Sequence, residues 1–181
     1  MGKRSSFVRV KNEYYRTFDR RACAPLGPLL KHYGVESYAE PCCGLGDLIW
    51  QLKGLGLDCL ARYDINPRRP GIPFGDARTL TRQDLNGATD VITNPPWLRS
   101  VLHVLIAHFS AMVPTWFLFD ADWLHTKQSA PFMDYCTDVV SVGKLRFIPC
   151  TRQDGKDNCA WYRFDREAAG KPTIFHGRIT Q

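Results

Sequence analysis

Apolar residues in this chain follow two periods that alternate along its length. Between residues 14 and 33 the spacing is helical, with Phe18, Ala22, Leu26, Leu29 and Leu30 on one face. Pro25 and Pro28 divide that stretch into two short helices. From residue 37 the pattern changes. Tyr38-Ala39-Glu40 reads as a strand, and Asp47 to Leu55 as a helix that buries Leu48, Ile49 and Leu52 and ends at Gly54 or Gly56. Asp58 to Asp64 is a second strand, Ile72-Pro73-Phe74 a third, and Asp90-Val91-Ile92-Thr93 a fourth. Val101 to Met112 forms a strongly apolar helix, and Thr115 to Phe119 a fifth strand. The last third lacks long helices. Val139 to Val142, Leu145 to Ile148 and Cys159 to Phe164 are closely spaced strands, with Thr173 to Phe175 adding one more. The polar tract from Thr151 to Asn158 is a loop between two of them.

Strands that alternate with helices predict an α/β fold. The expected architecture is a Rossmann-like sheet, mainly parallel, with helices on both faces and an antiparallel hairpin toward the C-terminal edge. The chain has 181 residues, of which 44% are hydrophobic and 12% aromatic, enough for one domain with its own core. Residues 1–13 read as a polar arm on a single 1–181 domain without internal repeats. No apolar run is long enough to span a bilayer, and the basic start Met1-Gly2-Lys3-Arg4 lacks the apolar segment of a secretory signal. The seven cysteines contain no Cys-x-x-Cys pair and no histidine spacing suited to zinc. They predict reduced thiols in an intracellular protein and no metal site. A net charge of +6 favours a polyanionic partner without establishing one.

The candidate chemistry lies at the predicted strand ends, which carry Glu40, Asp64, Asp76 and Asn94. In a doubly wound sheet such ends share one ligand cleft. The first strand runs into a glycine turn, Glu40-Pro41-Cys42-Cys43-Gly44-Leu45-Gly46, whose glycines let the backbone approach a ligand. A dinucleotide site would want a third glycine where Ile49 stands, and Asp47 at the helix start would repel a pyrophosphate. A ligand without phosphate fits better. The fourth strand ends in Asn94-Pro95-Pro96-Trp97. Asn94 offers an amide oxygen, and Pro95, having no N–H, offers only its carbonyl. Two prolines stiffen the loop that presents both acceptors, and Trp97 offers a flat apolar face. Each piece alone also suits an ordinary turn.

Taken together, the turn and the Asn-Pro-Pro-Trp tetrapeptide resemble the S-adenosylmethionine-dependent amino-methyltransferases, with the class I methyltransferase sheet. The turn preceding the tetrapeptide is the γ arrangement, whose members are mostly DNA adenine-N6 enzymes. The segments Ala121 to Thr126 and Gly155 to Phe164 resemble small modification methyltransferases carried by phages and mobile elements. The resemblance implies methyl transfer from S-adenosylmethionine to the N6 amine of adenine in DNA. There the two acceptors bind the amine hydrogens and stabilise the positive charge that gathers on the nitrogen.

It also implies a cofactor site. Glu40, Pro41, Cys42, Gly44 and Gly46 would pack the methionine part. Asp64, with Ile65 after it, would bind the ribose hydroxyls, and Asp76-Ala77 the adenine. Tyr15 and Thr17, in a Tyr-x-Thr segment, would touch the carboxylate end, and Asn94 would border both ligands. A core helix explains the two tyrosines nearly as well.

On the target side, the γ family's large reading domain has no counterpart after Trp97, so sequence specificity is expected to be relaxed, to reside in loops 98–103, 120–135 and 150–158, or to need a helper subunit. The base must be flipped or single-stranded. Arg99, Arg146, Arg152 and Lys156 are the candidates for phosphate. Asn158 would assist in its loop, and Asp122 and His125 would line the pocket. Trp161 would flank the base, although its place in an alternating strand suits core packing slightly better. An RNA adenine-N6 enzyme, a protein glutamine-N5 enzyme and a non-catalytic partner of a methyltransferase pair are the alternatives. Asn94 rather than serine disfavours a cytosine-N4 enzyme.

Overall fold

In the computed structural model of the chain, residues 14–150 and 153–178 are described. The polar arm assigned to residues 1–13 therefore lies outside the described residues. The first helical stretch is divided at Pro25, with a 3-10 turn over Arg20–Ala22 before it and helix α1 (Leu26–His32) after it; Pro28 does not divide the chain but sits in the first turn of α1, where its missing N–H has no helical partner to lose. Strand β1 (Ser37–Glu40) leads through the glycine turn into α2 (Asp47–Lys53), which returns the chain to β2 (Asp58–Arg62). β3 (Asp90–Thr93), α3 (Arg99–Ser110) and β4 (Thr115–Asp120) form the next crossover. A 3-10 turn at Ala121–His125 and the short α4 (Ala130–Met133) then lead to β5 (Cys136–Gly143), β6 (Cys159–Phe164) and β7 (Ile174–His176).

These strands form one seven-stranded sheet in the order β2-β1-β3-β4-β6-β5-β7. The first four neighbours are parallel. β6 runs antiparallel between β4 and β5, and β7 lies parallel to β5 at the outer edge. Both faces are covered, so β4 reads as a continuous apolar run rather than an alternating one. Phe117 and Phe119 join Leu102, Leu105, Ile106 and Phe109 of α3 in one core layer. Trp116 and Leu118 join Leu26 and Leu30 of α1 and Leu48 and Leu52 of α2 in the other.

Three elements differ from expectation. Ile72-Pro73-Phe74 is not a strand; it makes one isolated bridge, Asp64 to Phe74. Pro73 has no N–H to donate, which prevents a full ladder. Leu145 to Ile148 is also irregular, because both edges of β6 are already taken by β4 and β5. Its alternation has another cause: Leu145 is buried in the core and Phe147 packs edge-on against Trp97. Conversely, β5 begins earlier than expected, at Cys136. Its polar start is buried because Asp138 accepts from Tyr33, Thr137 and His176.

Trp161 belongs to the core. It is fully buried, and its indole N–H donates to the Ala22 carbonyl at 2.7 Å. Its assignment to the flipped base is therefore corrected: β6 is a central strand with both faces covered, so its side chain cannot reach a cleft. Trp161→Ala is expected to destabilise the fold by about 3–5 kcal/mol, by loss of burial and an opened cavity. Urea unfolding checks this, with a loss under about 1 kcal/mol as the contrary result.

Candidate active site

A cleft of about 540 Å³ opens at the carboxyl ends of β1, β2 and β3, within the size range of small-molecule sites. The glycine turn forms its floor. Gly44 and Gly46 have φ of +55° and +82°, in the left-handed region that glycine tolerates. A Cβ on Gly44 would stand 2.7 Å from the Tyr14 ring, so the turn needs this glycine for close approach as well as for conformation. The Gly44 N–H donates to Asp64 Oδ2 at 2.7 Å, which ties the turn to the end of β2. Asp64 also accepts from the Asn66 N–H at 2.7 Å. Among the described residues, then, this carboxylate shapes the cleft floor as well as facing it.

The cleft is acidic within and basic at its rim. Glu40 is 2% exposed, and its Oε2 has no hydrogen-bond partner among the described residues. Burial raises its carboxyl well above the usual range, and the charges of Asp64 and Asp47 raise it further. Asp47 heads α2, where the helix dipole favours a carboxylate, and takes a two-pronged ion pair from Arg16 at 2.7 and 2.8 Å. Asp76 is held by Arg78 in a similar fork, which keeps its carboxyl below the ordinary value. Arg68 lies over the Tyr14 ring at 4.1 Å on the same rim. Tyr14, Arg16, Arg68 and Arg78 were not foreseen. Tyr14 directly precedes Tyr15 in the predicted segment, but nothing in its spacing marks it as the residue that covers Gly44.

Asn94 closes the other side of the cleft, with Pro96 beside it. Its side-chain nitrogen donates to the Tyr15 carbonyl at 3.2 Å and to Thr17 Oγ at 2.9 Å. Its oxygen accepts from the Trp97 indole N–H at 3.1 Å. Thr17 is buried, and Gln51 donates to its carbonyl, so the anchor is itself held. An amide has two N–H donors and an oxygen with two lone pairs. Both donors are used, and one lone pair is left on the oxygen among the described residues. Thr17, expected at a cofactor carboxylate, thus bonds Asn94. Trp97 does not line the cleft. Its N–H is shared with the Leu118 carbonyl at 3.2 Å, and its ring meets Phe147 edge-on at 5.7 Å.

The structure gathers Tyr15, Thr17, Glu40, Pro41, Cys42, Gly44, Asp64, Ile65, Asp76, Ala77 and Asn94 around the one cleft. Gly46 and Pro95 stand behind the lining. The expected phosphate contacts do not gather there. Arg99 is paired with Asp120 at 3.0 Å, and Arg146 lies on a separate groove with Asp19. Lys156 and Asn158 are exposed on the loop before β6, where the Asn158 carbonyl accepts from the Ala121 N–H. Arg152 lies outside the described residues. Asp122 and His125 sit in the 3-10 turn after β4 and do not line the cleft.

No protein-family model and no curated protein matches the sequence. Solved structures do match the fold. A candidate RNA methyltransferase from Pyrococcus horikoshii is similar at a TM-score of 0.63 and 17% identity, covering 88% of this chain and 90% of that one. A candidate class I S-adenosylmethionine-dependent methyltransferase from Listeria monocytogenes is similar at 0.63 and 13%, covering 94% and 67%. A component of a type I restriction–modification system is similar at 0.51 and 12%; 93% of this chain spans 44% of that one. The chain has the Rossmann-like class I methyltransferase fold.

Proposed function

We propose that this protein transfers a methyl group from S-adenosylmethionine to the N6 amine of adenine in DNA. The observation that carries the reading is the state of the Asn94 amide. Tyr15 and Thr17 occupy its nitrogen, so only its oxygen can face a substrate, and that oxygen has room for one more donor. A site that offers acceptors alone selects a substrate N–H and rejects a carbonyl or ring nitrogen. Pro95 stands behind the lining, and a second acceptor would come from its carbonyl if the amine seats against the loop backbone, which two successive prolines fix. Two fixed acceptors stabilise positive charge on an amine nitrogen without reorganising at the reaction step.

The residues of the cleft fit the cofactor. S-adenosylmethionine carries two positive centres and, when bound, supplies an electrophilic methyl group. The buried, unpartnered Glu40 lacks a cation, and Asp47 and Asp64 lie near it. Asp64 and Asp76 would hold the ribose and adenine parts, and Arg16 and Arg68 stand on the rim where a carboxylate would be accepted. The choice of DNA follows the order of the glycine turn and Asn-Pro-Pro-Trp.

RNA is the second reading. The Pyrococcus horikoshii protein, described as a candidate RNA methyltransferase, is matched over 90% of its length, whereas the restriction–modification component extends well beyond this chain. The test replaces each adenine of an oligonucleotide substrate with purine lacking the exocyclic amine. Methyl transfer is expected to vanish on DNA so modified and to remain on the unmodified strand. Transfer that persists on the modified strand overturns adenine-N6 as the target.

A further inference from the structure

A second, open groove lies outside the cleft, lined by Phe18, Asp19, Arg20, Arg21, Ala24 and Arg146. Asp19 is almost fully buried at its base. One of its oxygens accepts from the Arg21 N–H at 3.1 Å; the other accepts from the Arg21 guanidinium at 2.6 Å and the Arg146 backbone N–H at 3.0 Å. Arg21 reaches from Asp19 to Asp154 at 2.6 Å, so both of its faces are matched. Arg20 and Arg146 are in a different state. Arg20 is exposed and makes no ion pair among the described residues. The Arg146 side chain is 43% exposed; its Nε is buried, 3.7 Å from Asp19 in a loose ion pair, and has no hydrogen-bond partner among the described residues. Asp19 is already saturated by shorter contacts, and both arginine side chains line the groove at least partly exposed. Guanidinium forks of this kind suit an anion with several acceptor oxygens.

The position of the groove indicates which anion. Asp19 follows Thr17 by two residues, a span of at most about 7 Å. Thr17 bonds Asn94, and Phe147, next to Arg146, packs against both Trp97 and Tyr15. The groove and the target side of the cleft therefore share a wall. We propose that Arg20 and Arg146 form a seat for one backbone phosphate of the nucleic-acid strand whose base enters the cleft. This rests on the functional reading above and places the strand on the α1 side of the cleft mouth. The contact carries no sequence information; it sets the register of the strand.

The test is binding of a fluorescent oligonucleotide, single-stranded and duplex, across a salt series. It compares the wild type, the double variant Arg20→Gln/Arg146→Gln, and Arg82→Gln as a control on an exposed turn beside the edge strand β2. Arg146 reaches Asp19 through its backbone N–H, so the double variant keeps that tie. Circular dichroism and calorimetric binding of S-adenosylmethionine verify its fold. The double variant is expected to lower the slope of log K against log salt by about 0.7 on single strands or about 0.9 on duplex, one phosphate's worth. Arg82→Gln should leave it unchanged. An unchanged slope in the double variant overturns the seat, as does a wild type that binds no oligonucleotide. Binding of inorganic phosphate as tight as that of oligonucleotide, and lost in the variant, also overturns it in favour of a site for a small anion. If S-adenosylmethionine fails to bind the wild type while the slope change holds, the methyltransfer reading falls and the seat stands.

Discussion

Asn94→Ala will lower methyl transfer at least about 10²- to 10³-fold while changing S-adenosylmethionine affinity by no more than a few-fold. The size of the loss follows from removing one fixed acceptor aimed at a charge that develops only during reaction. The selectivity follows from the contacts. The Asn94 side chain bonds Tyr15, Thr17 and Trp97, none of which holds the acidic part of the cleft. Single-turnover transfer and calorimetric binding read the two quantities separately. Cofactor affinity lost together with rate would move Asn94 from the target side to the cofactor side. Thr17→Val tests the same lock from behind: the amide loses one of two anchors, so kcat should fall more than KM rises, and Thr17→Ser should restore it.

Glu40→Gln will weaken S-adenosylmethionine binding by about 10- to 100-fold, the range for losing a hydrogen bond to a charged group. It will also raise the thermal stability of the cofactor-free protein at neutral pH. Both effects have one cause. Burial, and then the charges of Asp64 and Asp47, raise the Glu40 carboxyl well above the ordinary carboxylate range. The unfolded chain ionises Glu40 first as pH rises, so the folded state loses stability from the unfolded pKa up to the raised folded one. Glutamine cannot ionise and escapes that loss, but it cannot answer a cation. The titratable groups that interact with Glu40 are Asp64 after β2, Asp47 at the head of α2, the thiols of Cys23 before α1, Cys42 and Cys43 in the glycine turn and Cys59 on β2, and the Tyr38 hydroxyl on its own strand. None supplies positive charge, and the Arg16 guanidinium is engaged by Asp47. Cofactor binding must therefore release a proton from Glu40 and strengthen as pH rises. Titrations in two buffers of different ionisation enthalpy measure that release directly. It should be absent in Glu40→Gln; equal proton counts in both proteins would remove Glu40 from the cation site.

Much of this arrangement could be read from residue order, because it depends on strand ends. The apolar runs that end at Glu40, Asp64 and Asn94 had to bring those polar groups to one edge of a mainly parallel sheet, and they do. The glycine turn was legible for the same reason: Gly44 and Gly46 sit where only glycine tolerates the backbone. What was not legible depends on partners far away in sequence. β5 extends past the expected start at Val139 because Tyr33 and His176, both distant in sequence, hold Asp138 inside the strand. Leu145 to Ile148 looked like a strand because its alternation serves the core on one side and Trp97 on the other, while the sheet had no edge left for it. Trp97 offered a stacking face by its chemistry, but its N–H is spent on Asn94 and Leu118, and its ring rests on Phe147. Arg99 and Arg146 are both basic and exposed enough to suggest phosphate; a close 3.0 Å pair with Asp120 in one and a loose 3.7 Å pair with an already saturated Asp19 in the other distinguish them.

On the proposed reading, a locked amide, together with a proline carbonyl, directs methyl transfer to the exocyclic amine of adenine. It is tested most directly by incubating the protein with labelled S-adenosylmethionine and duplex DNA, single-stranded DNA or RNA, then identifying the labelled nucleoside by mass spectrometry. N6-methyladenine is expected from DNA, and at least about 10²- to 10³-fold less of it with Asn94→Ala. Label on a ring nitrogen, on carbon or on an oxygen would contradict it, as would no label on any of the three polymers while the cofactor binds.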